Sequence, residues 1–257
     1  MTKRSNMVQS LVRALDIIEL LDREGELGIS EISNTLGLEK TTVHRLISTL
    51  KFKGYVAQNK SNQKYSNSFK LFEMGNNVVE GLGLRRQAQP FMEELAEKSH
   101  EAVNLAILNG KHMFYIDKIE SSETIKVDLR IGKRLPVYCT GLGKAMLAFM
   151  PEERVHELFK GETFVKYTKN TIDNVQGLML ELRRIKAQGY SIDNEEYIPG
   201  LVCVAAPVMS FRGEAVAALS VAVPKYRLEE GERDLGCLIG LVRTAAEKLS
   251  REMGHMG

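Results

Sequence analysis

The 257-residue sequence predicts an α+β protein in two unequal parts: a small helical head closed by a basic hairpin, and a larger body mixing strands with helices. Three observations carry that expectation. Residues 1–52 repeat apolar positions at helical spacing, and strand-like residues appear only after Gly54. Beyond residue 100, apolar runs of strand length alternate with amphipathic helical stretches and hairpin turns such as Asn109-Gly110. Charge is segregated as well. Residues 1–72 carry 11 Lys/Arg against 7 Asp/Glu, a net of +4 in a chain whose formal net charge is +2.

Composition sets the outer limits. A hydrophobic content of 44% and a charged content of 26% are ordinary for a globular chain of this length. No run of about 18 apolar residues suggests a membrane span. Arg13, Asp16 and Glu19 interrupt the first apolar stretch, so no signal peptide is expected. Cys139, Cys203 and Cys237 stand far apart, with no CxxC pair and no His-containing zinc spacing. A reducing cytoplasm fits that pattern, and neither a metal site nor a cofactor is expected.

In the head, Val8, Leu11, Val12, Leu15, Ile18 and Leu21 form one apolar stripe of a first helix. Ser30 stands where an N-cap belongs for a short second helix, with Ile32 and Leu36 inward and Gly37 at its left-handed end. A third helix runs from about Lys40 to Phe52 on a buried stripe of Val43, Leu46, Ile47 and Leu50. Its other side shows Lys40, Thr41, Thr42, His44, Arg45, Ser48 and Thr49. Short hydroxyls interleaved with donors suit a helix whose first turns enter a DNA major groove, with an N-cap as the lesser alternative for Thr41. Tyr55–Gln58 and Lys64–Ser66 read as strands around a polar turn, a hairpin with Lys60 and Lys64 at its tip to meet phosphates. From Lys40 to Phe72 there are seven basic residues and no acid. That is the field a polyanion-binding module needs, though charge alone fits a solvated basic face as well. The pattern as a whole is a winged helix-turn-helix over residues 1–68, followed by a linker helix over 69–84 with apolar Phe69, Phe72, Val79 and Leu82.

The body, residues 85–257, reads as a helix from Pro90 to Ser99, strands at Val103–Leu108, Met113–Ile119 and Thr124–Arg130, and helices at Gly141–Phe149, after Pro151 and at Val175–Gln188. Two further apolar strands, Leu201–Met209 and Ala215–Val223, precede a final helix from about Glu229 to Met253. A largely antiparallel sheet follows. Gly141-Leu142-Gly143-Lys144 lacks the spacing and Ser/Thr of a P-loop, yet glycines at a helix start expose amides that can meet an anion. A tight turn with no ligand explains it equally well. Cys203 lies in an apolar strand, where a cysteine is commonly a small hydrophobe, and Asp193 opens what reads as an acidic loop after a strand.

The runs SLVRALDIIELL and ISEISNTLGLEKTTVHRLISTLKFKGYV, with Thr41, Thr42, Arg45, Leu46 and the closing Gly54-Tyr55, resemble the N-terminal domain of the IclR family of transcriptional regulators. The resemblance continues through TGLGKA, SIDNEEYIPGLVCVAAPV and AALSVAV and so covers nearly the whole chain. It implies a GAF-like effector-binding domain in the body, a linker helix that helps pair two subunits, and homodimers or tetramers on a roughly palindromic double-stranded operator. It also implies effector contacts at Gly141, Leu142, Asp193, Cys203 and Ser220, with Thr124, Val127 and Leu135 as apolar or rim contacts. The DNA contacts expected in the head are Ser30, Lys40, Thr41, Thr42, His44, Arg45, Ser48, Lys60 and Lys64. Relatives often have a smaller residue at the position of Leu142 and a second hydroxyl at the position of Ala222. A small carboxylate is the expected effector, and no enzyme activity is expected. Two other classes stay open at this point: an enzyme or metabolite-binding protein whose head serves protein contacts, and a structural nucleoid protein. The acid-free basic stretch argues against the first, and the size of the body against the second.

Overall fold

The computed structural model describes residues 7–81, 83–121, 123 and 131–256. Contacts divide the chain into two units, one ending at Gly81 and one beginning at Leu82. The expected strand at 124–130, and with it Thr124 and Val127, lies outside the described residues.

The first unit holds α1 (Gln9–Glu24), α2 (Ile29–Leu36), α3 (Lys40–Phe52), β1 (Val56–Gln58), β2 (Tyr65–Asn67) and α4 (Phe69–Gly81). Its core gathers Ile17, Leu20 and Leu21 of α1, Ile32 of α2, Val43 and Ile47 of α3, and Val56 and Tyr65 of the hairpin. β1 and β2 pair antiparallel, with Val56 opposite Asn67, and Leu27 bridges to Tyr65, fastening the loop before α2 to the hairpin. Gly37 takes φ 64° at the turn into α3, the left-handed geometry that favours glycine.

Three details differ from the sequence reading. The α1 stripe through Val8, Leu11 and Leu15 is exposed, because the core takes the adjacent face built on Ile17, Leu20 and Leu21. Ser30 is not the N-cap of α2. The extended residue is Gly28, whose N–H donates to Glu31 Oε2 at 2.6 Å, and Ser30 stands inside the first turn. The linker helix ends at Gly81 rather than running to residue 84, and left-handed Gly83 starts a new helix.

In the second unit, α5 (Leu84–Ser99) leads into β3 (Ala102–Asn109) and β4 (His112–Ile119). Then come β5 (Arg134–Pro136), α6 (Gly141–Leu147), α7 (Glu152–Leu158), α8 (Val175–Gln188) and β6 (Ser191–Asn194). The unit closes with β7 (Leu201–Met209), β8 (Ala215–Pro224), α9 (Lys225–Glu229) and α10 (Leu235–Glu252). The sheet order is β5-β4-β3-β8-β7-β6, and every pairing is antiparallel. α5 and α10 pack together and cover one face, while α6, backed by α8, covers the other.

The second unit also corrects some boundaries. The helix expected to open at Pro90 starts at Leu84 and carries Pro90 inside it. A proline there costs about 3 kcal/mol, and burial of Leu84, Ala88, Met92 and Leu95 along one face offsets it. The final helix, expected from about Glu229, starts only at Leu235: the short α9 ends at Glu229, left-handed Gly231 interrupts the helical run, and Asp234, whose Oδ1 accepts the Cys237 N–H at 2.6 Å, caps α10. Asp193 does not open an acidic loop. It lies within β6 and is buried.

Candidate functional site

α3 presents Lys40, Thr41, His44, Arg45 and Ser48 to solvent, with Thr42 half-buried and Val43, Ile47 and Leu50 holding the opposite side in the core. Glu39 is the N-cap residue, so Thr41 and Thr42 stand inside the first turn instead of capping it. Arg45 also lines a groove of about 550 Å³ between α1 and α3, together with Thr42 and Arg13. Arg13 was not singled out by sequence, because α1 reads as a scaffold helix.

The hairpin turn is stiffened by its own side chains. Asn59 Oδ1 accepts from the Ser61 N–H at 3.0 Å, and Asn62 Oδ1 from the Lys64 N–H at 2.9 Å. Folding also brings acids to this basic tip. Asn59 and Asn62 donate to Glu26, and Lys64 Nζ pairs with Glu31 Oε1 at 3.0 Å. The carboxyl of Glu26 is held low by the Asn62 and Asn59 amides, and that of Glu31 by the Gly28 N–H and then by Lys64. Lys60, Lys40 and Arg45 have no carboxylate partner among the described residues. Of the two lysines expected at the tip, Lys60 is therefore uncommitted and Lys64 is already paired.

In the second unit, the sheet face beneath α6 carries Ala106, Ala205 and Ala218, packed against Leu142 and Ala145. Register puts the polar residues of interest on that same face. Asp193 is opposite Cys203, Cys203 opposite Ala222, and Ser220 lies between Ala205 and Asn104. Gly141 starts α6 directly above them. A β-carbon there would sit 3.4 Å from Ala205 Cβ, 3.5 Å from the Cys203 carbonyl oxygen and 3.6 Å from Asp193 Cβ. Ser191 Oγ donates to the Gly141 carbonyl at 2.5 Å and pins this turn to β6. The first amides of α6 have no acceptor within the helix, and Thr140 Oγ1 accepts from the Gly143 N–H at 3.2 Å.

Gly141, Asp193 and Cys203 thus converge, with Ser220 one strand further. Leu142 and Leu135 are placed differently. Both side chains join the core cluster under α6, and Leu135 belongs to the strand at the opposite sheet edge from Asp193.

Sequence reasoning missed the network behind this cluster. Lys144, only 1% exposed, donates to the Ile192 carbonyl at 2.8 Å and pairs with Glu196. It is a buried tie between α6 and β6 and its following turn, not a phosphate ligand. The Glu196 N–H donates to Asp193 Oδ1 at 2.7 Å. Burial, and then the charge of Glu196, push the Asp193 carboxyl from the ordinary 3.8 up to about 7, against the opposing pull of that N–H and of Lys144. Burial likewise pushes the Cys203 thiol and the Tyr115 phenol well up. That suppresses the thiolate which a nucleophilic cysteine needs.

Comparison with known proteins bears on both units. Residues 10–60 match the IclR helix-turn-helix domain, and residues 76–251 match the bacterial transcriptional regulator IclR C-terminal domain. The chain belongs to the IclR family. The HTH-type transcriptional regulator KdgR of Escherichia coli (strain K12) is 36% identical over 253 residues, spanning 98% of this chain and 95% of that protein. Among solved structures, the Thermotoga maritima IclR shares 29% identity at a TM-score of 0.79, covering 96% of this chain and 99% of that one. An IclR homolog of Microbacterium hydrocarbonoxydans, complexed with 4-hydroxybenzoate, shares the fold at 21% identity and a TM-score of 0.82, covering 95% of this chain and 99% of that one.

The helix-turn-helix match spans α1 to α3 and the first strand of the hairpin, so DNA binding belongs to the first unit. Among the described residues no helix is long and apolar enough to cross a membrane, and no group of His, Cys, Asp and Glu is arranged to hold a metal ion. Two polar side chains under α6, Asn104 and Tyr115, stand beside the expected contacts without having been expected. For Asn104 a signal existed: it is the one polar residue in the apolar run Ala102–Leu108.

Proposed function

We propose that this protein is a transcriptional regulator whose operator binding is set by a small organic acid held under α6. Two subunits pair through their heads, and two copies of α3 read the halves of a roughly palindromic site, with Lys60 on flanking phosphate. Homodimers or tetramers of this kind are supported by the apolar surface the head leaves uncovered: Leu11 is 59% exposed and Phe69 87%.

The observation that carries the effector reading is the convergence of Gly141, Asp193 and Cys203 beneath the first turn of α6. Unsatisfied amides there attract a carboxylate. An Asp193 that keeps its proton near neutral pH donates to that carboxylate instead of repelling it. The Microbacterium relative, complexed with 4-hydroxybenzoate, supports an acid as ligand. Effector binding changes operator affinity only in so far as it favours one arrangement of the subunits over another. A cytoplasmic location and control of a catabolic operon follow from this role.

The test has two arms with the full-length protein. Genomic fragments retained by the protein define the operator, and fluorescence anisotropy then measures binding with and without small carboxylates. Arg45→Ala weakens operator binding by about 1–3 kcal/mol if Arg45 reads a base; an equal loss on random DNA reassigns it to phosphate. Asp193→Ala keeps operator affinity and loses the response to acid. A normal acid response in that variant removes Asp193 from the site.

A further inference from the structure

Asn104 is 1% exposed in the centre of the sheet, and among the described residues neither its Oδ1 nor its Nδ2 has a hydrogen-bond partner. Such a group is costly in a folded protein, because a buried amide without partners forfeits the water it gave up. Neighbouring strands do not relieve it. Lys118 stands opposite Asn104 on β4, but its ammonium turns to Glu120 at 2.8 Å. Ser220 stands opposite on β8, flanked on the same face by Ala218 and Ala222, with Ala102 and Ala106 along β3 and Ala205 and Cys203 one strand further on; all are short side chains, and Tyr115, opposite Ala106 on β4, is the large one beside them. The amide head of Asn104 therefore rises from a floor of small residues, on the same face as Gly141 and Asp193.

Its chemistry narrows what can complete it. A carboxamide offers one acceptor and two donors on adjacent atoms. An ionised carboxylate accepts only, so it can satisfy Nδ2 but never Oδ1. A hydroxyl both donates and accepts. Position adds a second constraint. Asn104 on β3 and Asp193 on β6 are three strands apart, roughly 14 Å at ordinary strand spacing.

We infer that Asn104, with Ser220 beside it, is a hydroxyl-reading subsite at the far end of the effector pocket, so that the effector is an extended hydroxylated acid and not a simple or compact one. This rests on the pocket reading above: the carboxylate lies at the Gly141–Asp193 end, and a hydroxyl, or a hydroxyl next to a carbonyl, reaches Asn104.

The test is a binding series on the full-length protein by calorimetry and thermal shift, using gluconate and 6-hydroxyhexanoate against hexanoate, their unhydroxylated counterpart. The parent binds the hydroxylated acids more tightly than hexanoate. Asn104→Leu lowers their affinity by about 10- to 100-fold, the loss expected for two buried hydrogen bonds, and leaves hexanoate unchanged. Without ligand, Asn104→Leu and Asn104→Val melt at or above the parent temperature, since each removes two unpaired buried atoms. A fall in melting temperature in both variants means that the amide is already satisfied, and overturns the inference. Acids that bind with no preference for hydroxyls, or with a preference that survives Asn104→Leu, also overturn it while leaving the pocket intact. Failure of every acid to bind removes the pocket reading, and this inference with it.

Discussion

At the scale of single residues, Asp193 shows how burial sets chemistry. Its carboxyl is raised, so the folded protein holds that proton more tightly than the unfolded chain does. The stability associated with the protonated group is full below the ordinary 3.8 and is lost as pH rises toward about 7. The loss is on the order of 4 kcal/mol once the group is fully ionised. Asn cannot ionise and still accepts the Glu196 N–H. Asp193→Asn therefore gains stability relative to the parent as pH rises from 5 to 8, as measured by urea unfolding at the two values. A constant difference across that range would show that Asp193 ionises as freely in the folded protein as in the unfolded chain. Lys144 and Glu196 show the limit of reading residues one at a time. Their partnership spans 52 positions of sequence, and no local pattern announces it.

At the scale of elements, the seat of α6 is decided by close approach. A β-carbon on Gly143 would lie 2.2 Å from the Val137 carbonyl oxygen and 2.6 Å from Val137 Cα, both backbone atoms that cannot step aside. Gly143→Ala is therefore expected to destabilise the second unit by about 3 kcal/mol or to shift α6 off the sheet. Gly141→Ala meets only ordinary contacts and is expected to fold at nearly the parent stability while narrowing the space over Asp193 and Cys203. Thermal melts of the two variants side by side check this, and equal losses would refute it.

The wing carries a second element-scale prediction. Glu31 both caps α2 and holds Lys64. Glu31→Gln keeps an acceptor for the Gly28 N–H but releases the ammonium. It is expected to raise affinity for random duplex DNA and to steepen the salt dependence by about one phosphate contact, a change of roughly 0.9 in the log–log slope. An unchanged slope would mean that Lys64 does not reach the backbone even when free.

At the scale of the whole molecule, the head leaves Val8, Leu11, Leu15, Phe69 and Phe72 exposed around a core that is already complete without them. That surplus is what self-association of heads requires. Leu11→Glu is expected to leave the head folded, since the residue lies outside the core, and to reduce cooperative occupation of a two-half-site operator to independent binding of half-sites. Gel shifts on one and two half-sites distinguish these outcomes, and undiminished cooperativity would place the pairing surface elsewhere.

Local sequence was enough for the element order of the head, the bounds of α3, the left-handed turn at Gly37, the strands at 201–209 and 215–224 to within a residue, and the family. These depend on local periodicity, turn chemistry and motif, which a single chain displays. It left other matters to the tertiary structure. Which of the two apolar faces of α1 enters the core depends on what α2 and α3 offer, so the exposed stripe was legible and its role was not. The short strands β5 and β6 have too few residues to show a period, and β6 exists because β7 supplies its hydrogen bonds. The basic wing tip looked free of acids along the chain, yet folding sets Glu26 and Glu31 against it. Asp193, read as part of a solvated loop, became a buried carboxyl because register pairs it with Cys203 under Gly141. Local pattern fixes what an element is; only the packing of distant elements fixes which polar groups are paired, which are buried and which, like the amide of Asn104, have no partner among the described residues.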